Sequence, residues 1–212
     1  MCFFVKAQTK ASKLAKKYGV SDTDIQDAIR AAEEQLSAFD HPILATVHQD
    51  SLRPMHWGLI PRWVRDRDTA LEIRNKTLNA RIETIFEKPS YRQNIREHRC
   101  IIPVDAFFEW QHVGKSKIPY RIDPLHDSVF SIAGIWDEWI SPQQHQAFRS
   151  FSILTCKANG IMSEIHNTQL RMPVILSMDQ VKDWLQPDLD DEAIEQLAKP
   201  CPEEWLGAKK LA

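Results

Sequence analysis

The sequence predicts an α+β fold with a largely antiparallel, barrel-like β-sheet core surrounded by helices. Three observations support this prediction. Apolar residues recur at helical spacing near the start of the chain, short β-rich segments separated by turn residues run from residue 100 to residue 156, and helical patterns follow in an acidic tail. Several short strands with turn signals are typical of antiparallel barrels and sandwiches. We expect a single domain over residues 1–212.

The composition is that of an ordinary globular protein. The 212 residues are 43% hydrophobic and 26% charged, which fits one domain with a substantial core. No apolar run approaches the roughly 20 residues of a membrane helix. Lys6 and Lys10 follow an apolar start of only four residues, which argues against a signal peptide. We therefore expect a soluble cytoplasmic protein with no membrane partner.

The cysteines and histidines form no metal or disulfide motif. Cys2, Cys100, Cys156 and Cys201 lie far apart without a CxxC pair, and the eight histidines include no HExxH. This spacing argues against a disulfide framework and against a structural zinc site. We expect neither a metal nor a cofactor.

The first part of the chain predicts a short strand and two packing helices. Residues 2–5 are strand-like, which would hold the start of the chain inside the fold. Thr9 is the predicted N-cap of a helix that Gly19 ends. Ser21 and Asp24 resemble a capping box for a second helix that continues to residue 36.

The later elements are predicted mainly as strands. The strand candidates are residues 43–48, 100–104, 106–110, 118–122, 129–136, 148–156 and 172–176. Residues 56–63 are a strand that runs into a rigid loop, and residues 74–82 show no clean periodicity, with Asn79 as a turn residue. A short helix or turn over 158–165 would deliver His166. Helices are expected from Ser177 to residue 185 and over 190–197.

Charge is distributed unevenly along a chain whose net charge is −2. Residues 53–99 hold eleven Lys or Arg against six Asp or Glu, with Trp57, Trp63 and Tyr91 between them. This pattern fits a groove for single-stranded nucleic acid, and it fits an ordinary solvated face equally well. Residues 177–212 hold nine acidic residues against four lysines, which disfavours a nucleic-acid surface there.

Cys2 is a candidate nucleophile. Removal of Met1 would leave a thiol and an α-amine on one residue, with reference pKa values of about 8.5 and about 7.7–8.0. An amine of this kind condenses with an aldehyde to an imine, and the thiol closes the imine to a five-membered thiazolidine. The alternative is a small buried side chain with no reaction of its own.

Glu109 and His166 are candidate acid–base groups. Glu109 lies within Phe107-Phe108-Glu109-Trp110, where an ionised carboxylate is costly without a partner. It is either a carboxyl of raised pKa or a solvent-facing residue of an edge strand. His166 precedes Arg171-Met172-Pro173 at the start of an apolar segment, although a lone histidine is more often structural.

Five pieces in the same order resemble the SRAP family of SOS-response-associated peptidase-like, abasic-site processing proteins. They extend over nearly the whole chain, from residue 2 to about residue 185. The pieces are Cys2, Trp57-Gly58 with Pro61 and Trp63, Asn79-Ala80-Arg81 with Glu83-Thr84, Phe108-Glu109-Trp110, and His166 before Arg171-Met172-Pro173-Val174-Ile175-Leu176.

The resemblance implies a crosslinking activity on single-stranded DNA that contains abasic sites. Cys2 would trap the C1′ aldehyde as a thiazolidine. Asn79 and Glu109 would orient the amine and the opened sugar, and His166 would act as an acid–base group on the sugar oxygen. The implied DNA-binding residues are Trp57, Trp63, Arg81 and Arg171. The resemblance further implies a lyase side activity, self-removal of Met1 and a nucleoid-associated location, and we expect a monomer.

The chain departs from the family pattern at two places. The usual Cys-Gly-Arg start is replaced by Cys2-Phe3-Phe4, which removes an expected phosphate contact, and His166 lies further from Arg171 than in the compact motif. Two alternative functions stay open at this point. One is an amidase or peptidase with Cys2 as its N-terminal nucleophile, and the other is a non-catalytic single-strand binder that uses residues 53–99.

Overall fold

A computed structural model of the protein describes residues 2–21, 35–142 and 145–211. Its helices are α1 (Ala11–Tyr18), α2 (Arg67–Lys76), α3 (Asn94–Glu97), α4 (Gly160–Ile165), α5 (Met178–Trp184) and α6 (Asp191–Leu197). Its strands are β1 (Phe4–Lys6), β2 (Leu36–Ser37), β3 (Ile43–Val47), β4 (Leu52–Trp57), β5 (Asn79–Arg81), β6 (Arg99–Val104), β7 (Ala106–Val113), β8 (Ser116–Pro124), β9 (Phe130–Ile140), β10 (Ala147–Lys157), β11 (Arg171–Pro173), β12 (Ile175–Leu176) and β13 (Leu206–Lys210).

Five strands close into a barrel. The ring runs β3–β4–β10–β9–β6 and returns to β3. Its pairs are antiparallel except for β4 and β10, where His56 lies opposite Ser150 in a parallel register. Gly134 of β9 faces both neighbours, and a side chain there would overlap Ile102. The α+β, barrel-like prediction is therefore confirmed.

A second sheet holds the start of the chain. Its order is β13–β8–β7–β1–β2, so β1 lies between two partners. Phe4 is opposite Phe108 of β7, and Val5 is opposite Leu36 of β2. Cys2 and Val5 are fully buried as a result. The strand predicted at residues 2–5 begins two residues later, at Phe4.

Helix ends follow the predicted signals in most cases. Gly19 takes a left-handed φ of 67° at the end of α1, and Ser177 forms a capping box with Gln180 at the start of α5. The predicted N-cap at Thr9 is wrong, because the Thr9 hydroxyl donates to Asp105 while Lys10 holds the cap position. Most of the second predicted helix, residues 22–34, lies outside the described residues, and its predicted end at residue 36 is wrong because Leu36 belongs to β2.

Three segments differ from the sequence prediction. The stretch 74–82 contains the end of α2 and then β5, which pairs in parallel with β10, so Asn79 is a strand residue and not a turn residue. The strand predicted at 172–176 is two strands, because β11 pairs with β10 whereas β12 pairs with β9. The tail ends in β13, which was not predicted. No helix in the described part of the chain is both long and apolar enough to cross a bilayer.

Candidate active site

Asn79 brings a side-chain amide to Cys2. It is the first residue of β5 and lies opposite Ile153 of β10. The buried Trp57 indole donates to the Leu78 carbonyl at 2.8 Å, which fixes the chain just before Asn79. Asn79 Nδ2 donates to the Cys2 carbonyl at 3.0 Å. Asn79 Oδ1 is buried and has no hydrogen-bond partner among the described residues, so an acceptor is left beside Cys2.

The Cys2 thiol lies in a fully buried position. Burial raises its pKa well above the ordinary range, and the negative charge of Glu109 adds to the effect. The sulfur is therefore a neutral thiol near pH 7. A nucleophile of this kind needs a proton acceptor nearby, or an electrophile that the amine has already activated.

Glu109 supplies a carboxyl in the same pocket. It lies on β7 and is only 4% exposed. Burial raises its pKa from 4.5 to about 7, because the charged form is desolvated. The alternative of a solvent-facing edge residue is thereby wrong. A carboxyl with this pKa is present in both protonation states at neutral pH, so it can accept and donate a proton.

His166 faces Glu109 from the end of α4. Its Nε2 lies 4.0 Å from Glu109 Oε2, and its Nδ1 lies 2.8 Å from the Arg171 carbonyl oxygen. A ring whose Nδ1–H donates to that carbonyl presents the Nε2 lone pair to the pocket. Burial lowers the pKa of His166, which keeps the imidazole neutral at pH 7. The predicted helix over 158–165 does deliver this residue.

The loop after His166 is tied to β7 by residues that sequence reasoning did not single out. The Asn167 side chain accepts from the His112 backbone N–H at 3.0 Å and donates to the His112 carbonyl at 2.8 Å. Gln111 Nε2 donates to the Glu164 carbonyl at 3.2 Å. These contacts hold the element that carries His166 against the strand that carries Glu109. The four residues between His166 and Arg171 therefore have a structural use.

Arg171 is engaged by the protein itself. Its guanidinium makes two contacts with the Glu83 carboxylate, at 2.6 and 2.9 Å, and donates to the Thr155 carbonyl at 2.6 Å. The residue is 7% exposed. It links the segment after β5 to β11, and its carbonyl oxygen holds His166. Both Nη atoms are thus engaged within the protein, and the Nε is buried without a hydrogen-bond partner among the described residues.

The other three predicted DNA contacts divide between core and surface. Trp57 is fully buried and lies parallel to Phe151 at 6.0 Å, so its position corrects the prediction that it stacks on a base. Trp63 is 50% exposed, and its indole donates only at 3.4 Å to the Pro89 carbonyl. Arg81 is exposed at the end of β5, two residues from Asn79.

The four cysteines are free thiols at buried positions. Among the His, Cys, Asp and Glu side chains that the structure describes, no group of three or more is placed to hold a metal ion. Cys2 is the thiol whose backbone carbonyl accepts from Asn79 and whose pKa the charge of Glu109 raises.

The fold and the site together define a class of protein: an α+β barrel in which a cysteine at position 2 is enclosed with an amide, a carboxyl and an imidazole from distant parts of the chain. The chain belongs to the SOS response associated peptidase (SRAP) family, whose model matches residues 1–212. The family resemblance read from the sequence is confirmed.

Comparisons with individual proteins agree with this assignment. The abasic site processing protein YoqW of Bacillus subtilis is 40% identical over 163 residues, which cover 76% of this chain and 69% of YoqW. The abasic site processing protein HMCES of Xenopus tropicalis is 31% identical over 153 residues, covering 63% of this chain and 44% of HMCES.

Two crystal structures share the fold. A protein from Bacteroides thetaiotaomicron has a TM-score of 0.96 at 39% identity, and the match covers 100% of this chain and 92% of that one. A protein from Bordetella bronchiseptica has a TM-score of 0.85 at 22% identity over the full length of both chains, which shows the common fold alone.

Proposed function

We propose that this protein captures abasic sites in single-stranded DNA as a covalent thiazolidine on Cys2. The observation that carries the proposal is the convergence of Cys2 with Asn79, Glu109 and His166, which come from four separate elements. The names of the relatives, abasic site processing proteins, support the same substrate. The reaction requires that Met1 be removed, so that Cys2 carries a free α-amine.

The first step is imine formation at the sugar. An abasic sugar exchanges between a closed hemiacetal and an open C1′ aldehyde. His166 Nε2 takes the proton of the C1′ hydroxyl as the ring opens and returns it to the ring oxygen, which leaves as a hydroxyl. The Cys2 amine then adds to the aldehyde carbon, and one amine proton moves to the carbonyl oxygen. Glu109 protonates the resulting hydroxyl, which departs as water, and takes back the remaining N–H proton as the neutral C=N bond forms.

The second step closes the ring. The Cys2 sulfur adds to the imine carbon, the C=N electrons move to nitrogen, and the thiol proton passes by way of Glu109 to that nitrogen. The balance for capture is one water lost per adduct. A thiol of raised pKa suits this order, because the sulfur reacts after the amine has produced the electrophile. Placement of amine, thiol and carboxyl close together replaces slow bimolecular encounters. Groups held in the right orientation reach effective molarities of roughly 10⁵ M or more.

Asn79 orients the reacting amine. Its Nδ2 already donates to the Cys2 carbonyl at 3.0 Å. Its Oδ1, which has no hydrogen-bond partner among the described residues, is the acceptor for an N–H of the Cys2 α-amine. An amine held in this way keeps its lone pair directed away from the amide. At the imine stage the same groups permit β-elimination, which gives an abasic-site lyase side activity.

Exposed residues hold the DNA strand outside the pocket. Arg81 supplies a phosphate contact next to Asn79, and Trp63 supplies a ring face for an unstacked base. Arg171 takes part in DNA binding only if its ion pair with Glu83 opens; in the closed state it positions His166. We further propose that the protein acts as a monomer in the cytoplasm, close to the nucleoid.

Intact mass spectrometry tests the proposal directly. The purified chain is first checked for loss of Met1 and then mixed with a single-stranded oligonucleotide that carries one abasic site. The expected product is the sum of the two masses less one water, stable to denaturant. Cys2→Ala abolishes it, whereas Cys201→Ala, which removes another buried thiol, leaves it intact.

Two results would refute crosslinking. One is the absence of an adduct with the Met1-free wild-type chain, and the other is an undiminished adduct with Cys2→Ala. Cleavage of external peptides without any reaction toward aldehydes would favour the amidase alternative. Binding of intact DNA that is unchanged in Cys2→Ala, with no adduct, would favour the non-catalytic binder.

A further inference from the structure

Arg74 is a half-buried arginine with no anionic partner among the described residues. Arg74 lies on α2, and its Nε is buried without a hydrogen-bond partner among the described residues. Its other contact to a polar atom is a long one, 3.5 Å from Nη2 to the His41 carbonyl. The nearest acidic residue on the same helix, Glu72, is paired with Lys76. Since charges removed from water are costly unless paired, this guanidinium is poised for an anion.

The surroundings of Arg74 form a prepared site. Its guanidinium carbon lies 5.0 Å from the centre of the Phe148 ring, and the His56 ring stacks on Phe148 at 4.4 Å. Gly58 has a φ of 108°, and a side chain there would lie 2.8 Å from Arg74 Cγ. The glycine of the Trp57-Gly58 pair therefore makes room for the arginine stem.

A cavity of about 270 Å³ opens at this position, and a second arginine lines it. Arg67 lies two turns before Arg74 on α2, and both residues border the cavity together with Phe148 and Gln146. Arg67 is exposed. Two guanidinium groups and a side-chain amide are groups that recognise a phosphodiester.

The cavity is connected to Cys2 by a short series of contacts. Phe3, the neighbour of Cys2, packs on Phe39 with ring centres 4.9 Å apart, and Phe39 is 54% exposed. Two residues later, the His41 carbonyl contacts Arg74. A DNA strand that passed over the exposed Phe39 ring would lead from Cys2 toward Arg74.

We propose that Arg74, with Arg67, forms a phosphate subsite for the DNA strand that flanks the abasic nucleotide. The ligand identity rests on the proposed function. Arg74 is a binding residue in this proposal and takes no part in the chemistry at Cys2. It supplies a phosphate contact that Phe3 and Phe4 do not offer beside the nucleophile.

The test compares charge-matched variants on undamaged single-stranded DNA. Arg74→Gln should weaken binding about tenfold, as expected for loss of one charge-assisted hydrogen bond. It should also reduce the slope of log affinity against log salt by about 0.7. Lys76→Gln removes the same charge from the same helix, where Glu72 neutralises it, and should change both quantities much less. Arg67→Gln, at an exposed position, should give an intermediate loss without any effect on folding.

A second measurement separates the subsite from the crosslinking activity. Capture of free 2-deoxyribose, which has the reacting aldehyde but no phosphate, should be equal in Arg74→Gln and wild type. Capture of a long abasic strand at low concentration should be slower in Arg74→Gln. Equal loss of affinity in Arg74→Gln and Lys76→Gln, or no loss in either, overturns the subsite. Absence of any adduct with wild type refutes the proposed function, and the binding comparison on undamaged DNA still decides the subsite.

Discussion

Replacement of Glu109 by Gln should stabilise the protein at alkaline pH while it disables capture. Glu109 has a pKa of about 7 in the folded protein against an ordinary 4.5. A folded pKa above the unfolded one means that the full contribution to stability is present below about pH 4.5 and is lost as the pH rises through 7. One pKa unit corresponds to about 1.4 kcal/mol, so the ionised carboxylate costs about 3 kcal/mol above neutrality. A neutral amide of the same shape does not carry this cost.

Urea denaturation at a series of pH values measures the effect. The free energy of unfolding of Glu109→Gln should match that of wild type below about pH 4 and exceed it by up to about 3 kcal/mol at pH 9. Glu87→Gln makes the same chemical change at an exposed site and should show no such trend. A difference that stays constant with pH would refute the assignment of a raised pKa to Glu109. The same variant should form adduct far more slowly, because it cannot move the protons.

Four further outcomes follow from the geometry. Because the pKa of His166 is lowered, the imidazole should stay neutral below pH 6.5. The fall in the rate of adduct formation at acid pH, measured by quenched time courses, should therefore occur below the ordinary histidine pKa. Glu83→Gln should lower the free energy of unfolding in urea by about 2 kcal/mol, because it leaves the buried Arg171 with one partner fewer. Trp57→Phe should cost about 2 kcal/mol through a lost hydrogen bond and lost volume, with little effect on DNA affinity. Trp63→Ala should weaken DNA binding measured by fluorescence anisotropy and leave the free energy of unfolding in urea nearly unchanged.

The sequence was sufficient for those parts of the molecule that local patterns determine. The barrel class followed from short β segments, the end of α1 from Gly19, and the start of α5 from Ser177 with Gln180. The candidate site residues were identified by residue type and by family resemblance. Their meeting at Cys2 depends on pairings between distant strands, which a local pattern does not encode.

The errors came from tertiary contacts that override local preference. β5 has only three residues and is a strand because β10 lies beside it. The segment 172–176 divides because its two halves pair with different strands of the barrel. The family resemblance implied DNA contacts for Trp57 and Arg171, yet a buried indole and a paired guanidinium serve to place Asn79 and His166.

The position of β1 between β2 and β7 has a consequence for synthesis of the protein. Phe4 is translated before its partner Phe108 in β7, and both are translated before the Arg171 carbonyl that holds His166. The segment that carries Cys2 therefore becomes enclosed only after the chain has passed Arg171. A polypeptide truncated before that point would carry Cys2 without the carbonyl that orients His166.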